Sequence, residues 1–349
     1  MKKFTTILLS LCVLFALTGC VQAGDESNTK TVTDCAGVEV KVPEKIEKVI
    51  SVNQSFCAFM TAMGIADKLI GAHGSVLYHS WSPVFYEGFS TMQRYGYQPS
   101  AEAIYAAGAD LVVLNDKSYA EDLRKVGIAA IYFNYTNLNE LIYGVDLIGE
   151  LFGADAQAYV TKWKTYLNTT IDTITADVAK VPHEEVANVY YVNAATDAGL
   201  YNTFGGGSFV EYWITTIGAR LVTSPYRDVT NMEAETVLSL NPDTIFLSGY
   251  LEYDYADALR ADPLWADIDA VKAERIYVMP TRMVSYDRFA VELPMLLSYS
   301  ANVLYPNYHE FGGIAELKTF YQNYYDLTFS DDQLTNMLAG LNPDGTRMQ

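Results

Sequence analysis

Two stretches of the chain repeat one another. Glu102-Ala-Ile-Tyr-Ala-Ala-Gly-Ala-Asp110-Leu-Val-Val-Leu114 recurs 133 residues later as Glu235-Thr-Val-Leu-Ser-Leu-Asn-Pro-Asp243-Thr-Ile-Phe-Leu247. Each reads as a Glu, one or two helical turns, a short break ending in Asp and a short apolar strand. The echo extends outward. Val49-Ile50-Ser51-Val52-Asn53 opens a strand, loop and helix ending at Met63-Gly64-Ile65, and Val189-Tyr190-Tyr191-Val192-Asn193 opens a similar course ending at Ile217-Gly218-Ala219. A chain of two similar α/β halves places its ligand between them. This weighs more than any catalytic motif, because none is found.

The first twenty residues read as an export signal. Lys2 and Lys3 form a basic start, and Ile7 to Leu17 form an apolar core of signal-peptide length, too short for a membrane span. The core ends in Leu17-Thr18-Gly19-Cys20, which resembles the lipobox of bacterial lipoproteins, in which the Cys is lipidated. That assigns 1–19 to a signal peptide and 20–30 to a lipidated Cys20 and a small, polar tether. The product is expected outside the cytoplasm, anchored to the membrane at the cell surface or in the periplasm. Of the other cysteines, Cys12 leaves with the signal, and Cys35 and Cys57 either pair or remain free thiols.

The formal charge is −19, and more negative once Lys2 and Lys3 are gone. Such a chain is repelled by nucleic acid and by anionic membrane surfaces, so nucleic acid is not a partner. Acidity of this kind serves solubility and says little about the interior of a cleft.

The order of elements is α/β. After a leading hairpin within 31–48, strands are expected at Val49–Val52, Lys68–Ala72, Leu111–Leu114 and Ala130–Phe133, with helices at Ser55–Met63 and Ser100–Ala107. A Tyr- and Gly-rich loop, His73–Pro99, interrupts them. Between Leu138 and Ala179 there is no Pro, and apolar residues recur at helical spacing (Tyr159, Trp163, Tyr166, Leu167, Ile171, Ile174, Val178). This predicts a shorter helix and then a spine helix over 155–180. Strands follow at Ala187–Val192, Arg220–Thr223, Thr244–Leu247 and Arg275–Met279, then helices at Glu292–Leu304, Ile314–Tyr325 and Asp331–Leu341. The expectation is an N-terminal α/β lobe (31–154), a C-terminal α/β lobe with terminal helices (181–341), mostly parallel sheets, and one long helix joining the lobes.

This pattern resembles the periplasmic-binding-protein family of ATP-driven importers that captures iron–siderophore, haem and cobalamin complexes. The carrying residues are Thr33-Asp34-Cys35-Ala36-Gly37-Val38-Glu39-Val40-Lys41-Val42-Pro43, Val49-Ile50-Ser51, Glu102-Ala-Ile with Ala109-Asp110-Leu-Val-Val, and Asn231-Met232-Glu233 leading to Asn241-Pro242-Asp243. Leu304-Tyr305-Pro306 and Phe320 to Leu327 extend it. The resemblance implies two lobes joined by a single long helix. It also implies a metal chelate of ferric-siderophore type as ligand, no cofactor, and an ABC permease dimer with ATPase subunits as partner. It further implies that one Glu per lobe, here Glu102 and Glu235, meets Arg residues of the permease. A helix N-terminus also favours Glu through its dipole. A monomer is expected.

Ligands of open α/β sheets bind outside the carboxyl ends of the strands. That selects Asn53, Gln54, His73, Tyr78, Arg94 and Tyr95 in the first lobe, and Phe204, Arg227, Tyr250, Arg282, Tyr286 and Arg288 in the second. The chain has 27 Tyr, and Tyr offers a flat apolar face with a polar tip. Guanidinium groups suit carboxylate, phosphate or a catecholate–iron complex. Arg227 and Arg288 adjoin Asp228 and Asp287, so local pairing competes there, and Arg94 and Arg282 rank higher. With four His, a bare-metal site is disfavoured, although His73 or Tyr78 could serve haem, and an Arg-lined cleft could hold an oxyanion such as molybdate. Gly205-Gly206-Gly207-Ser208 lacks the Lys-Ser/Thr of a phosphate loop, and neither Gly-x-Ser-x-Gly nor His-Glu-x-x-His occurs. An extracytoplasmic hydrolase remains the lesser alternative.

Overall fold

The computed structural model describes residues 28–196, 199–227, 231–249 and 253–347. The signal segment, Cys20, most of the tether and Tyr250 lie outside the described residues.

A hairpin leads, β1 (Thr29–Thr33) against β2 (Glu39–Pro43), in register from Thr29↔Pro43 to Thr33↔Glu39. Its turn closes on the Asp34 carboxylate, which accepts from Ala36 N (2.9 Å) and Val38 N (3.1 Å). The first sheet is built from β3 (Val49–Ser51), β4 (Leu69–His73), β5 (Gln93–Tyr95), β6 (Leu111–Leu114) and β7 (Ala130–Tyr132), in the order β5-β4-β3-β6-β7. The second lobe adds β8 (Asn188–Val192), a small hairpin of β9 (Ala194–Thr196) and β10 (Gly199–Asn202), then β11 (Arg220–Leu221), β12 (Thr244–Leu247) and β13 (Ile276–Val278). Its sheet runs β11-β8-β12-β13. Every pairing within both sheets is parallel. Leu111-Val-Val-Leu114 and Thr244-Ile-Phe-Leu247 are buried along their whole length, as parallel strands covered on both faces must be.

The sheet orders show what the repeat means. β4-β3-β6-β7 corresponds to β11-β8-β12-β13, with β5 as an extra edge strand in the first lobe. The repeated helices, Ala101–Ala107 and Ala234–Leu240, both end on a left-handed residue, Gly108 (φ 65°) and Asn241 (φ 41°). Gly and Asn adopt that conformation at the least steric cost. The repeated aspartates then peg the strand that follows to its neighbour. Asp110 Oδ2 accepts from Glu47 N and Lys48 N, both at 2.8 Å, where β3 begins. Asp243 Oδ2 accepts from Asn188 N (2.9 Å) and Asn188 Nδ2 (3.2 Å) at the start of β8.

The spine helix, Ala154–Val178, follows the helix Leu138–Phe152 across Gly153 alone (φ 90°) and is about 37 Å long. It buries Ala156, Val160, Trp163, Leu167 and Ile174. On its outer face Thr161, Thr165, Thr169 and Thr173 each donate to the carbonyl four residues earlier. The last helices, Leu293–Leu304, Gly313–Tyr325 and Asp331–Leu338, follow the second lobe in sequence but pack partly on the first. Phe85 meets the rings of Tyr321 (5.7 Å), Tyr325 (5.2 Å) and Phe329 (5.4 Å), and the Trp81 indole N–H donates to Leu341 O at 2.8 Å. One apolar core therefore runs from Val49 through the spine to Phe246 and Leu334.

The expected His73–Pro99 loop contains β5 and two short helices, Gly74–Leu77 and Ser82–Phe85. Only Tyr95 of β5 is buried, so the strand had no apolar alternation to announce it. Cys35 and Cys57 are free thiols, and burial pushes them up to about 11 and about 12. No helix of the described residues is long and apolar enough to cross a membrane.

Removing either peg leaves two backbone or amide donors without their acceptor. Asp110→Ala and Asp243→Ala are each expected to lower the unfolding free energy by about 1–3 kcal/mol in urea titrations. Asp110→Asn, which keeps an acceptor oxygen, should lose less.

Candidate functional site

A cleft of about 1040 Å³ opens between the lobes at the carboxyl ends of the strands. The first lobe lines it with Asn53–Ser55 after β3, Ser75 after β4, Tyr97 after β5, Asn115 after β6 and Asn134–Thr136 after β7. The second lobe supplies Phe204–Val210, Arg227 and Asp287–Phe289.

Amides and hydroxyls knit the first-lobe wall. Asn53 caps the helix Gln54–Ala62 by accepting from Phe56 N at 2.8 Å, while its Nδ2 donates to Asn115 Oδ1 (2.7 Å) and Phe133 O (3.0 Å). One side chain thus ties together the ends of β3, β6 and β7. Gln54 Nε2 donates to Ser75 Oγ at 2.6 Å, and Ser75 Oγ lies 2.7 Å from His73 Nδ1. At the floor, the Tyr135 hydroxyl crosses between the lobes, 2.6 Å from Ser55 Oγ, 3.2 Å from Arg288 O and 3.0 Å from Phe289 O. Burial raises the Tyr135 phenol well beyond the usual tyrosine range, so it stays protonated as a donor. Phe289 holds a left-handed backbone (φ 52°), and its ring stacks on Phe209 at 4.1 Å. Tyr135 meets the edge of Phe209 at 5.9 Å, and Phe204 stacks on Tyr191 at 6.2 Å.

Three charged residues line the cleft. Asp287 is spent internally: Tyr191 donates its hydroxyl to Oδ2 at 2.5 Å, and Ser285 donates to Oδ1. Arg288 donates to Asn193 Oδ1 (2.9 Å) and Ser248 Oγ (3.2 Å), which aims it along the second-lobe wall. Arg227 is exposed at the rim, with Nη1 about 3.3 Å from where a side chain on Gly207 would begin. Gly205 and Gly206 press on the backbone of Tyr226 and Ser224, where any Cβ would collide, so the glycine run serves close packing of this loop.

Of the residues selected from the sequence, Asn53, Gln54, Phe204, Arg227 and Arg288 line the cleft. His73, Tyr78, Arg94 and Tyr95 do not. His73 Nδ1 accepts from Ser75 N at 3.1 Å, which commits that lone pair to the backbone and leaves the proton of the neutral ring on Nε2. Its ring stacks on Tyr97 at 3.8 Å. Arg94 lies over the Tyr78 ring at 4.5 Å, and both are exposed outside the lining. Tyr95 is core, its ring against Gly71.

Arg282 and Tyr286 belong to the core beneath the cleft. Arg282 is fully buried, ion-paired with Glu292, with its guanidinium 5.0 Å from the Phe85 ring and 5.3 Å from that of Tyr325. Tyr286 OH meets Tyr321 OH at 2.8 Å. Glu102 and Glu235 are exposed in the first turns of their helices. The sequence reading passed over Asn134, Tyr135, Thr136, Phe209 and Phe289. Applying the carboxyl-end rule to the strand at Ala130–Phe133 would have found the first three; the two Phe carry no local signal. Among the described residues no group of three or more His, Cys, Asp or Glu stands where it could hold a metal ion.

Residues 49–283 match the family profile described as periplasmic binding protein, and the chain belongs to that family. An uncharacterised ABC transporter substrate-binding lipoprotein of Bacillus subtilis, YvrC, is 22% identical over 306 residues, covering 82% of this chain and 92% of its own. The molybdate-bound periplasmic protein MolA of Haemophilus influenzae superposes with a TM-score of 0.75 at 16% identity, covering 86% of this chain and 99% of its own. A protein of an Fe3+-hydroxamate transport system from Saccharomonospora viridis gives 0.61 at 21% identity, over 79% and 98%. At these identities the two structures establish the fold.

A half-buried histidine beside Arg282 gives the stability a pH signature. Burial, helped by the Arg282 charge, holds His79 down at about 4. In the unfolded chain it takes up a proton near pH 6.5. Between those values the unfolded state binds a proton the folded state refuses, so stability falls as pH falls through that window. This group alone should remove on the order of 3 kcal/mol between pH 7 and pH 4. His79→Gln should flatten that part of the profile in denaturation curves.

Proposed function

We propose that this periplasmic binding protein is the lipid-anchored receptor of an ABC importer, and that it captures a metal chelate of ferric-siderophore type between its lobes. The carrying observation is the cleft itself. Its volume of about 1040 Å³ suits a ligand at the large end of small-molecule sites. Its surface offers amides, hydroxyls, aromatic rings and two guanidinium groups, while its one carboxylate is already engaged by Tyr191 and Ser285. Such a surface solvates the periphery of a ligand that brings its own coordination sphere. The name of the Bacillus subtilis relative supports the transport role and the lipid anchor, here at Cys20. Haem, cobalamin and an oxyanion such as molybdate are the alternative ligands for the same receptor.

The ligand class is read by a thermal-shift panel on protein starting at residue 24. The panel holds ferric hydroxamate and catecholate complexes, haemin, cobalamin, molybdate and free Ni(II). A ligand at 100 times its dissociation constant stabilises the fold by about 2.7 kcal/mol, a shift of a few degrees. A shift with an iron chelate alone is expected. A shift with molybdate or haemin alone would replace the chelate reading, and a flat panel would remove it. Docking is read separately. Glu102→Arg and Glu235→Arg are expected to slow uptake about tenfold each through lost steering, with ligand affinity unchanged.

A further inference from the structure

The 133-residue repeat carries more than the two glutamates. At the same offset Arg94 corresponds to Arg227, so each lobe has an Arg eight residues before its Glu: Arg94 and Glu102, Arg227 and Glu235. All four side chains are exposed. In a chain with 42 acidic and 23 basic residues, this places positive charge at the same sequence distance before each Glu, although Arg94 lies on β5, the strand without a counterpart in the second lobe, and Arg227 in a loop.

Topology puts the four on one face. The helices Ala101–Ala107 and Ala234–Leu240 finish at the amino ends of the sheets, where Asp110 and Asp243 bind the starts of β3 and β8. Their first turns, with Glu102 and Glu235, therefore point toward the carboxyl ends, the side on which the cleft opens. Arg94 pairs with Ala72 in β4, and its Nε comes within 2.9 Å of where a Cβ on Gly74 would stand, just past the carboxyl end of that strand. Arg227 lines the rim of the cleft on the second lobe.

Arg94 is also held in place by a neighbour of its own lobe. It lies outside the cleft lining, its guanidinium stacked on Tyr78 and donating to the Tyr78 hydroxyl. Tyr78 is itself 69% exposed. A flat cation fixed on an exposed ring is a preorganised contact for a carboxylate.

We propose that Arg94 and Arg227 form a second, basic pair of docking residues. Each lobe then presents an Arg–Glu couple to a permease of two equivalent subunits, and each subunit offers a carboxylate for the Arg beside a cation for the Glu. This rests on the reading that Glu102 and Glu235 dock a permease. Paired charges of both signs fix orientation better than a single sign does, because a misplaced register brings like charges together.

The test uses the mature, ligand-free protein and its importer complex in lipid nanodiscs, with docking followed by surface plasmon resonance at several salt concentrations. Arg94→Glu and Arg227→Glu should each weaken docking about 5- to 50-fold, with a shallower salt dependence. Arg94→Gln and Arg227→Gln should lose less than the reversals. Thermal midpoints within a degree or two of wild type show that the fold is kept. If the arginine variants dock as wild type while Glu102→Arg and Glu235→Arg are impaired, the basic pair is refuted and the permease reading stands. If the glutamate variants also dock as wild type, the assignment of Glu102 and Glu235 as docking residues falls and takes the basic pair with it, and if the wild-type protein does not dock at all the permease reading itself falls.

Discussion

Trp163 sits where the two lobes meet the spine, and the geometry of the cleft depends on it. Its ring packs edge-on to Phe59 of the first lobe at 5.1 Å, and its indole N–H donates to Val291 O at 2.9 Å, on the segment returning from the second. A buried Trp with its one donor satisfied contributes a large apolar area with no desolvation penalty left over. Through it the helix Gln54–Ala62, the spine and the 282–292 segment share one reference point. That segment carries Asp287, Arg288 and Phe289 into the cleft, and its two ends are held by the Arg282–Glu292 ion pair. Replacing a buried pair by apolar residues is often harmless, but breaking it leaves a charge alone in the core. Its role here is therefore to define the shape of this segment rather than to add net stability.

The lobes are restrained at several independent places. The spine spans both, the tail returns to Trp81 and Phe85, and Tyr135 with Ser55 holds the carbonyls of Arg288 and Phe289 at the cleft floor. Separating the lobes would therefore break contacts at the cleft floor and at the tail as well as bend the spine. A ligand is met by a surface organised before it arrives, because the amides of Asn53 and the hydroxyl of Tyr135 are already committed to orienting their neighbours.

The fold was legible because its signals are local. The apolar runs at Val49, Leu111, Val189 and Thr244 coincide with β3, β6, β8 and β12, and the unbroken periodicity after Asp155 coincides with the spine. Gly108 and Asn241 mark the left-handed ends of the repeated helices. What escaped was short or polar, such as β5, whose pairing with β4 is a tertiary event. The cleft was legible in most of its loops, the one after β7 excepted, and in only some of its side chains. Arg282 and Arg288 are six residues apart and similar in sequence context, yet one is sealed against Phe85 and the other lines the cavity.

By itself, then, the sequence determined the α/β class, the two-lobe repeat, the spine and most of the loops that border the cleft, the one after β7 excepted, because hydrophobic periodicity, capping residues and turn chemistry act within a few positions. The tertiary structure decided which side chains of those loops face a ligand. Tyr135 reaches Arg288 across 153 positions, and Arg282 is buried by aromatic residues on either side of it in the chain, Phe85 and Tyr325. Side-chain direction at a strand end is set by whichever partner comes within hydrogen-bonding or packing distance, and those partners become neighbours only when the whole chain has folded.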